Sequence, residues 1–363
     1  MTRAEIEREV LGLIAGGVSA PPDDRRFETL ALPLLRLQVE QGAAYRKLCA
    51  AFGRDPRAVR SWREIPAVPT GAFKEARFAI FPPEATVRTF RSSGTTADLR
   101  GALELDDLSL YDASLEETFR TFVVGDAPRR RFLVLAPSSA DAPDSSLSYM
   151  FSRAVERMGT GDSEFLVGAR GWDPERAIET LAAARESVVL AGTAFAFVHL
   201  LDQLEARGEK LALPEGTRVM ETGGFKGRSR ELTRDELHAQ IAEKLGVPRT
   251  RIVNQYGMCE LASQFYESTL RDGVPSDVKQ IPPWVRVRIV NPVTQADVPH
   301  GERGIILVHD LANVGSVAAL LTADVGQLAD GGFRVFGRAR GAEARGCSLA
   351  ADALLGAVTR GAR

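Results

Sequence analysis

Apolar residues change their spacing along this chain of 363 residues, and the change predicts regions of different secondary structure. In residues 1–60 they recur at helical spacing, and Thr2 with Glu5 forms a capping box at the start of the first predicted helix. Between about 130 and 255, short runs that are apolar throughout alternate with helical segments. Such runs are typical of a parallel sheet that helices cover on both faces.

The apolar runs predict strands at 131–136, 187–191, 217–220 and 251–254, with helices near 193–206 and 230–245. After residue 280 the texture changes: residues 284–290 alternate with period two, which predicts an antiparallel strand, and 304–308 and 333–336 are further short predicted strands. The expected fold class is α/β, with largely parallel sheets covered by helices and a β-rich subdomain. We expect a helical region (1–60), an α/β body (61–280), the β-rich subdomain (281–336) and a short C-terminal segment (337–363).

Composition argues against several classes of function and location. The 46 basic and 48 acidic residues nearly balance, so a general nucleic-acid footprint is not expected. No run approaches 18 apolar residues, and charges interrupt the N-terminus, so we expect neither a membrane span nor a signal peptide. The three cysteines, Cys49, Cys259 and Cys347, are widely spaced, which predicts reduced thiols in a cytoplasmic protein. Neither cysteine nor histidine pairs have zinc-ligand spacing.

A hydroxyl-rich loop is the main candidate for chemistry. Its small residues are Ser92, Ser93, Gly94, Thr95 and Thr96. They combine little bulk with hydroxyls and free backbone N–H groups, which suit the oxygens of a polyphosphate. Arg100 closes the loop and adds a positive charge for the same anion. The loop lacks Walker A spacing, and an ordinary polar surface turn is the alternative.

A second candidate segment follows the predicted strand at 251–254. Tyr256 and Gly257 form a tight turn there, and Glu260 offers a carboxylate just beyond it. A carboxylate beside phosphates is a suitable ligand for Mg²⁺. The alternative interpretation is a strand-to-helix junction at which the helix dipole favours an acid.

These segments resemble motifs of the adenylate-forming superfamily, which activates acids as adenylates. The loop resembles the S-G-T-T-G-x-P-K phosphate loop, and its departures are Ala97, Leu99 and Arg100 in place of glycine, proline and lysine. The segment at 254–260 resembles the Y-G-x-T-E motif, with Cys259 at the threonine position. The resemblance covers about residues 92–341, most of the chain.

The resemblance implies further nucleotide contacts. Gly223, Gly224 and Phe225 match the step that lies against adenine, and Asp324 matches the T-G-D aspartate that holds the ribose hydroxyls. Arg338 matches the G-R step that follows. Asp324 read as a turn residue before a glycine is the alternative. The implied ATP site therefore comprises Ser92, Ser93, Gly94, Thr95, Thr96, Gly223, Gly224, Phe225, Tyr256, Gly257, Asp324 and Arg338, with Glu260 for Mg²⁺.

The C-terminal segment narrows the resemblance. Members of the superfamily usually end in a C-terminal lid that carries a lysine. Only 25 residues follow Arg338 and none is lysine, so we expect this lid to be truncated. Cys347 near the end is similar to the acyl-accepting cysteine of the LuxE-type acyl-protein synthetases. The run Asp310–Asn313 also resembles that family, although its chemistry is unassigned.

The family resemblance implies a ligase that makes acyl-AMP from ATP and a carboxylic acid, of fatty-acid type in this family. Arg100 then stabilises phosphate charge, and the Cys347 thiolate accepts the acyl group, with neighbouring arginines favouring the thiolate. A LuxC-type acyl-protein reductase is the implied partner.

Several alternatives stay open at this stage. Cys347 can be a bystander, and Cys259 is the competing nucleophile. Phe195 and Phe197 line an acid pocket or belong to the core. The protein can instead be a ligase that transfers the acyl group to coenzyme A or an amine, or a nucleotide-binding subunit without catalysis.

Overall fold

The computed structural model describes residues 1–53, 55–92, 100–168, 171–223 and 232–339. The chain forms two compact units. The first comprises Met1–Glu117, Gly257–Phe265 and the described residues 278–339, and the second comprises the described residues of Thr118–Tyr256 and Tyr266–Asp277. The domain boundaries expected from the sequence stay a prediction.

The elements are numbered here along the described residues. The helices are α1 Arg3–Ala15, α2 Asp24–Gln41, α3 Ala43–Ala51, α4 Ser109–Phe119, α5 Ser146–Met158, α6 Pro174–Ala182, α7 Ala194–Ala206, α8 Arg234–Leu245 and α9 Thr269–Asp272. The strands are β1 Val68–Pro69, β2 Arg88–Arg91, β3 Ala102–Leu105, β4 Arg131–Leu135, β5 Glu164–Phe165, β6 Val167–Gly168, β7 Gly171–Trp172, β8 Val188–Thr193, β9 Arg218–Thr222, β10 Ile252–Tyr256, β11 Phe265–Tyr266, β12 Lys279–Gln280, β13 Val285–Val290, β14 Arg303–Asp310, β15 Ala319–Ala329 and β16 Gly332–Arg338.

N-cap residues mark the starts of the first two helices. The predicted capping box is present, since Glu5 N donates to Thr2 Oγ1 at 3.3 Å and Thr2 N donates to Glu5 Oε2 at 2.8 Å. Asp23 caps α2 by accepting hydrogen bonds from the first backbone N–H groups of that helix. The buried residues of α1 lie at helical spacing, as the sequence pattern predicts.

The first unit contains a mainly antiparallel sheet in the order β12-β16-β15-β14-β13, and β1 pairs in parallel with β15. The strands predicted after residue 280 are confirmed. The pattern missed β15, the strand at the centre of this sheet. Asp324 lies within it, so the interpretation of Asp324 as a turn residue is wrong. A separate hairpin joins β2 to β3.

The second unit contains a sheet in the order β11-β10-β9-β8-β4-β5, whose strands from β10 to β5 are parallel. Every residue of β8 and β9 is buried, which explains the apolar run of β8 and the apolar centre of β9; β9 also buries the polar side chains of Arg218, Glu221 and Thr222. Thr193 caps α7 by accepting from Ala196 N, as predicted for a helix beginning there. Phe195 and Phe197 belong to the hydrophobic cluster of this unit, so the core interpretation of that pair is supported.

The parallel arrangement gives the second unit two distinct sheet edges. The carboxyl ends of β9 and β10 lie at one edge and their amino ends at the other. Among the described residues, no helix combines the length and apolarity that a membrane crossing requires.

Candidate active site

The hydroxyl-rich loop connects β2 to β3, and its stem is tightly hydrogen-bonded. Ser92 N donates to Gly101 O at 2.8 Å, and Gly101 N donates to Ser92 Oγ at 2.9 Å. Arg100 Nε donates to Ser92 O at 2.8 Å, so the predicted phosphate-binding arginine is anchored to the stem. Ser93, Gly94, Thr95 and Thr96 lie outside the described residues.

Glu260 lies beside this stem in the first unit. Its Oε1 is 3.6 Å from the position that a Cβ would take on Gly101, and Glu260 itself is buried. Turns, rather than a helix, separate β10 from β11 around Glu260. The interpretation of Glu260 as an acid at a helix N-terminus is therefore wrong, and the helix dipole does not account for it.

Burial controls the charge of Glu260. Desolvation raises the pKa of its carboxyl to about 7, the negative charge of Asp324 acts in the same direction, and the positive charge of Arg338 opposes it. At neutral pH the Glu260 carboxyl is therefore protonated to a greater extent than an ordinary glutamate. A divalent cation or an additional positive charge would favour its ionised form.

Asp324 and Arg338 form a pair across the first unit's sheet. They are register partners of β15 and β16, and Arg338 Nε lies 3.5 Å from Asp324 Oδ1. Asp324 is largely buried, and both charges act on Glu260. The first unit thus brings together three of the predicted site residues that are far apart in the sequence.

Asp310 and Asn313 hold the Glu260 segment in place. Asp310 accepts from Ser263 N and Ser263 Oγ, both at 2.8 Å, and Asn313 Nδ2 donates to Glu260 O at 2.8 Å. Burial raises the pKa of Asp310 to about 6, against the lowering effect of these hydrogen bonds. No role for Asp310 or Asn313 was predicted from the sequence alone. The sequence feature that could have indicated their role is an acid and an amide close together at the end of a buried strand.

In the second unit, Gly223 and Tyr256 lie at neighbouring strand ends. Thr222 pairs with Gln255 in the parallel register, so the residue after each pair reaches the same sheet edge. Gly223 has a φ of 85°, a left-handed conformation that favours glycine. Gly224 and Phe225 fall in a part of the chain that the structure does not describe.

A buried polar cluster, missed by the sequence analysis, supports this edge. Asn254 Nδ2 donates to Glu221 Oε1 at 2.7 Å, and His238 Nε2 lies 3.0 Å from the same oxygen. Asn254 N donates to Glu267 Oε2 at 2.9 Å. Because removing one partner of such a buried network is costly, these contacts fix the ends of β9 and β10.

The described cysteines are poor nucleophiles. Cys49 and Cys259 are each 1% exposed. Burial raises the pKa of the Cys49 thiol to about 11, so its thiolate is scarce at neutral pH. Cys347, the predicted acyl acceptor, lies beyond the last described residue.

The residues present suit a Mg²⁺ ion that shares its ligands with a nucleotide. Within the described ranges, no group of three or more histidine, cysteine, aspartate or glutamate side chains is arranged to hold a metal. Mg²⁺ is commonly held by one or two carboxylates together with substrate phosphates. Glu260, close to the phosphate-loop stem, fits that requirement.

Comparison with protein families is decisive for classification. The profile of the LuxE acyl-protein synthetases matches residues 17–355. The chain belongs to the LuxE acyl-protein synthetase family. The expected family and the expected ligase class are therefore confirmed.

Two relatives carry the same description. A long-chain-fatty-acid–luciferin-component ligase of Vibrio harveyi is 24% identical over 290 residues, which cover 78% of this chain and 74% of the relative. A ligase of the same description from Aliivibrio fischeri is 26% identical over 272 residues, covering 72% of this chain and 69% of the relative.

Solved structures confirm the adenylate-forming fold of this LuxE family member. A 2-hydroxyisobutyryl-CoA ligase in an open conformation, with 2-HIB-AMP and CoA, matches with a TM-score of 0.66 at 15% identity. The match covers 89% of this chain and 76% of the ligase. An ATP-bound RpMatB-BxBclM chimera has a TM-score of 0.50 at 19% identity, over 70% of this chain and 48% of the chimera.

Proposed function

We propose that this protein uses ATP to convert a long-chain fatty acid to its acyl-AMP and then binds the acyl group as a thioester at Cys347. We further propose that it acts in the cytoplasm and supplies an acyl-protein reductase of the LuxC type. The observation that carries the proposal is the position of Glu260 beside both the Ser92–Gly101 stem and the charges of Asp324 and Arg338. The relatives' names support the choice of acid.

In the first step, a carboxylate oxygen of the acid attacks the α-phosphorus of ATP. A new O–P bond forms, the bond from the α-phosphorus to the bridging oxygen breaks, and pyrophosphate leaves. The loop whose stem is Ser92 and Arg100 surrounds the phosphates with N–H, hydroxyl and guanidinium donors, which stabilise the charge that develops there. The motif matches assign the ribose hydroxyls to Asp324 and the adenine to the Gly223–Gly224 step.

Glu260 is the residue that would hold Mg²⁺ in this site. The ion would supply charge neutralisation of the phosphates when bound. Asn313 fixes the backbone of Glu260, so the carboxylate keeps its position near the phosphate-loop stem. Tyr256 and Gly257 begin the segment that carries Glu260 from the sheet edge.

In the second step, the Cys347 thiolate attacks the acyl carbon of the mixed anhydride. A C–S bond forms, the C–O bond to phosphate breaks, and AMP leaves with that oxygen. The thiol proton passes to solvent, since the thiolate is the reacting form. Cys49 and Cys259 do not compete for this role, because both are buried.

The test combines isotope exchange with intact-mass measurement. The wild-type chain should exchange labelled pyrophosphate into ATP only when a fatty acid is present, and should gain the mass of one acyl group. Cys347→Ser should keep the exchange and lose the added mass, while Cys259→Ser serves as the matched control and keeps both. Acylation of Cys347→Ser at the wild-type level would remove Cys347 from the mechanism.

The remaining candidates are distinguished by the same assay. Release of AMP only after addition of coenzyme A or an amine identifies a ligase with a small-molecule acceptor. A complete absence of exchange across acids of varied length identifies a nucleotide-binding subunit without catalysis. Acyl transfer from the loaded protein to a purified LuxC-type reductase tests the partner.

A further inference from the structure

Three arginines meet at the edge of the second unit's sheet that is opposite to Gly223 and Tyr256. Arg130 directly precedes β4, Arg218 is the first residue of β9, and Arg251 directly precedes β10. In a parallel sheet all amino ends lie at one edge; β9 and β10 are neighbours about 4.8 Å apart, whereas β8 lies between β9 and β4. The charges of Arg130 and Arg251 both act on Arg218. The side chains of these residues are therefore within reach of one another.

Two of the guanidinium groups bind neighbouring carbonyl oxygens. Arg218 Nη1 donates to Val123 O at 2.9 Å, and Arg130 Nε donates to Val124 O at 2.7 Å. Val123 and Val124 end a single π-turn, Arg120–Val124, that continues α4. Isolated π-turns occur frequently at functional sites.

In the described part of the chain, the three arginines are not neutralised by ion pairs with carboxylates. Within the described ranges, neither Arg130, Arg218 nor Arg251 forms an ion pair with a carboxylate. Burial, and then the charges of Arg130 and Arg251, lower the pKa of Arg218 to about 10, while the negative charge of Asp126 opposes this.

The negative end of the helix dipole explains part of this clustering of arginines. A helix C-terminus carries roughly half a negative charge, and cations near it are stabilising. Three guanidinium groups exceed that charge several-fold. Moreover, Arg218 is 9% exposed, and its buried Nε has no hydrogen-bond partner in the part of the chain that the structure describes. An unsatisfied buried donor of a charged group is costly, so a second anionic partner is expected.

We propose that Arg130, Arg218 and Arg251 form a binding site for a phosphate dianion, distinct from the nucleotide site. Guanidinium groups match phosphate oxygens in fork geometry, and two negative charges complement the local excess. Arg130 and Arg251 are partly exposed, which gives the anion access from solvent, whereas Arg218 forms the buried wall. The same chemistry suits free inorganic phosphate and the phosphate group of a small monoester.

The experiment titrates the full chain with inorganic phosphate, glycerol phosphate and chloride at constant ionic strength. Calorimetry should detect a phosphate site, and near-saturating phosphate should raise the melting temperature by about 3 °C relative to chloride. Arg251→Gln and Arg130→Gln should each weaken phosphate binding at least about tenfold, because each removes a charged hydrogen-bonding group. A larger response to glycerol phosphate than to inorganic phosphate assigns a monoester, and the reverse assigns the free ion.

Two controls separate this site from its surroundings. Arg185→Gln alters an exposed arginine of the same unit that contacts only Ala182 O among the described residues, and it should leave phosphate binding unchanged. Arg100→Gln should weaken ATP binding but preserve the phosphate response that Arg251→Gln removes. The proposal is overturned if Arg251→Gln and Arg130→Gln bind phosphate as wild type does, or if only Arg100→Gln loses the response.

Discussion

Arg338 lies directly across from Asp324 in the antiparallel pair β15–β16, with its Nε 3.5 Å from Asp324 Oδ1. The two residues act on Glu260 with opposite signs, since Asp324 raises and Arg338 lowers the pKa of that carboxyl. One strand pair therefore holds together the proposed ribose-binding residue and the arginine whose charge opposes it at the proposed Mg²⁺ ligand.

Replacing Asp324 should weaken nucleotide binding. Asp324→Asn keeps the side-chain shape but removes the charge that strengthens hydrogen bonds to two ribose hydroxyls, worth about 1.5–3 kcal/mol. We expect kcat/KM for ATP in pyrophosphate exchange to fall about 10–100-fold, mainly through KM. Asp330→Asn, at a fully exposed site just after β15, is the matched control. An unchanged KM in Asp324→Asn would contradict the assignment.

The activity should depend on pH through Glu260. Its pKa of about 7 means that the ionised form, which would bind Mg²⁺ in the proposed function, becomes dominant only above neutral pH. At limiting Mg²⁺, the exchange rate should rise between pH 6 and 8, and higher Mg²⁺ should move the midpoint to lower pH because the ion competes with the proton. Glu260→Gln should lose most of the rate and this dependence, whereas the exposed control Glu302→Gln should retain both.

The stability of the protein without Mg²⁺ should show the opposite trend. The folded-state pKa of Glu260 is raised from 4.5 to about 7, so ionisation costs folding free energy as pH rises through that interval. In EDTA at pH 8, the free energy of unfolding of Glu260→Gln, measured with urea, should exceed that of wild type by up to about 3 kcal/mol. At pH 4 the two proteins should have similar free energies of unfolding. A stability gain that is equal at both pH values would refute this explanation.

Asn313 should position Glu260 without touching substrate. Asn313→Ala removes the hydrogen bond to Glu260 O and leaves that buried carbonyl unsatisfied. We expect a destabilisation of about 1–3 kcal/mol in urea unfolding. The concentration of Mg²⁺ needed for half-maximal exchange should also rise. Asn313→Asp, with the same shape but no amide donor, should resemble Asn313→Ala, and a variant that changes stability alone would show a purely structural role.

The two described cysteines should resist thiol reagents in the folded protein. Cys49 and Cys259 are each 1% exposed, and the pKa of Cys49 is raised to about 11. In Cys347→Ser, a disulfide reagent at pH 8 should therefore modify almost no thiol until urea unfolds the chain. Rapid native modification that Cys259→Ser abolishes would restore Cys259 as the competing nucleophile.

The sequence by itself determined the local elements and the family. The capping box at Thr2, the apolar run of β8 and the period-two alternation at 284–290 can each be recognised from residues close together in the chain. The motifs at 92–100 and 254–260 carried enough residue identity to indicate the superfamily. These features are local, so propensity and pattern were sufficient to predict them.

The tertiary structure alone decided which distant residues act together. Strand pairing places Asp324 beside Arg338, and the fold places Asn313 against the Glu260 carbonyl although the two residues are 53 positions apart in the sequence. It also gathers Arg130, Arg218 and Arg251 at one sheet edge. Register, burial and electrostatic environment depend on contacts between separate segments, and a pattern along one chain does not contain those distances. For the same physical reason, the raised pKa of Glu260 follows from its burial in the fold and not from its place in a motif.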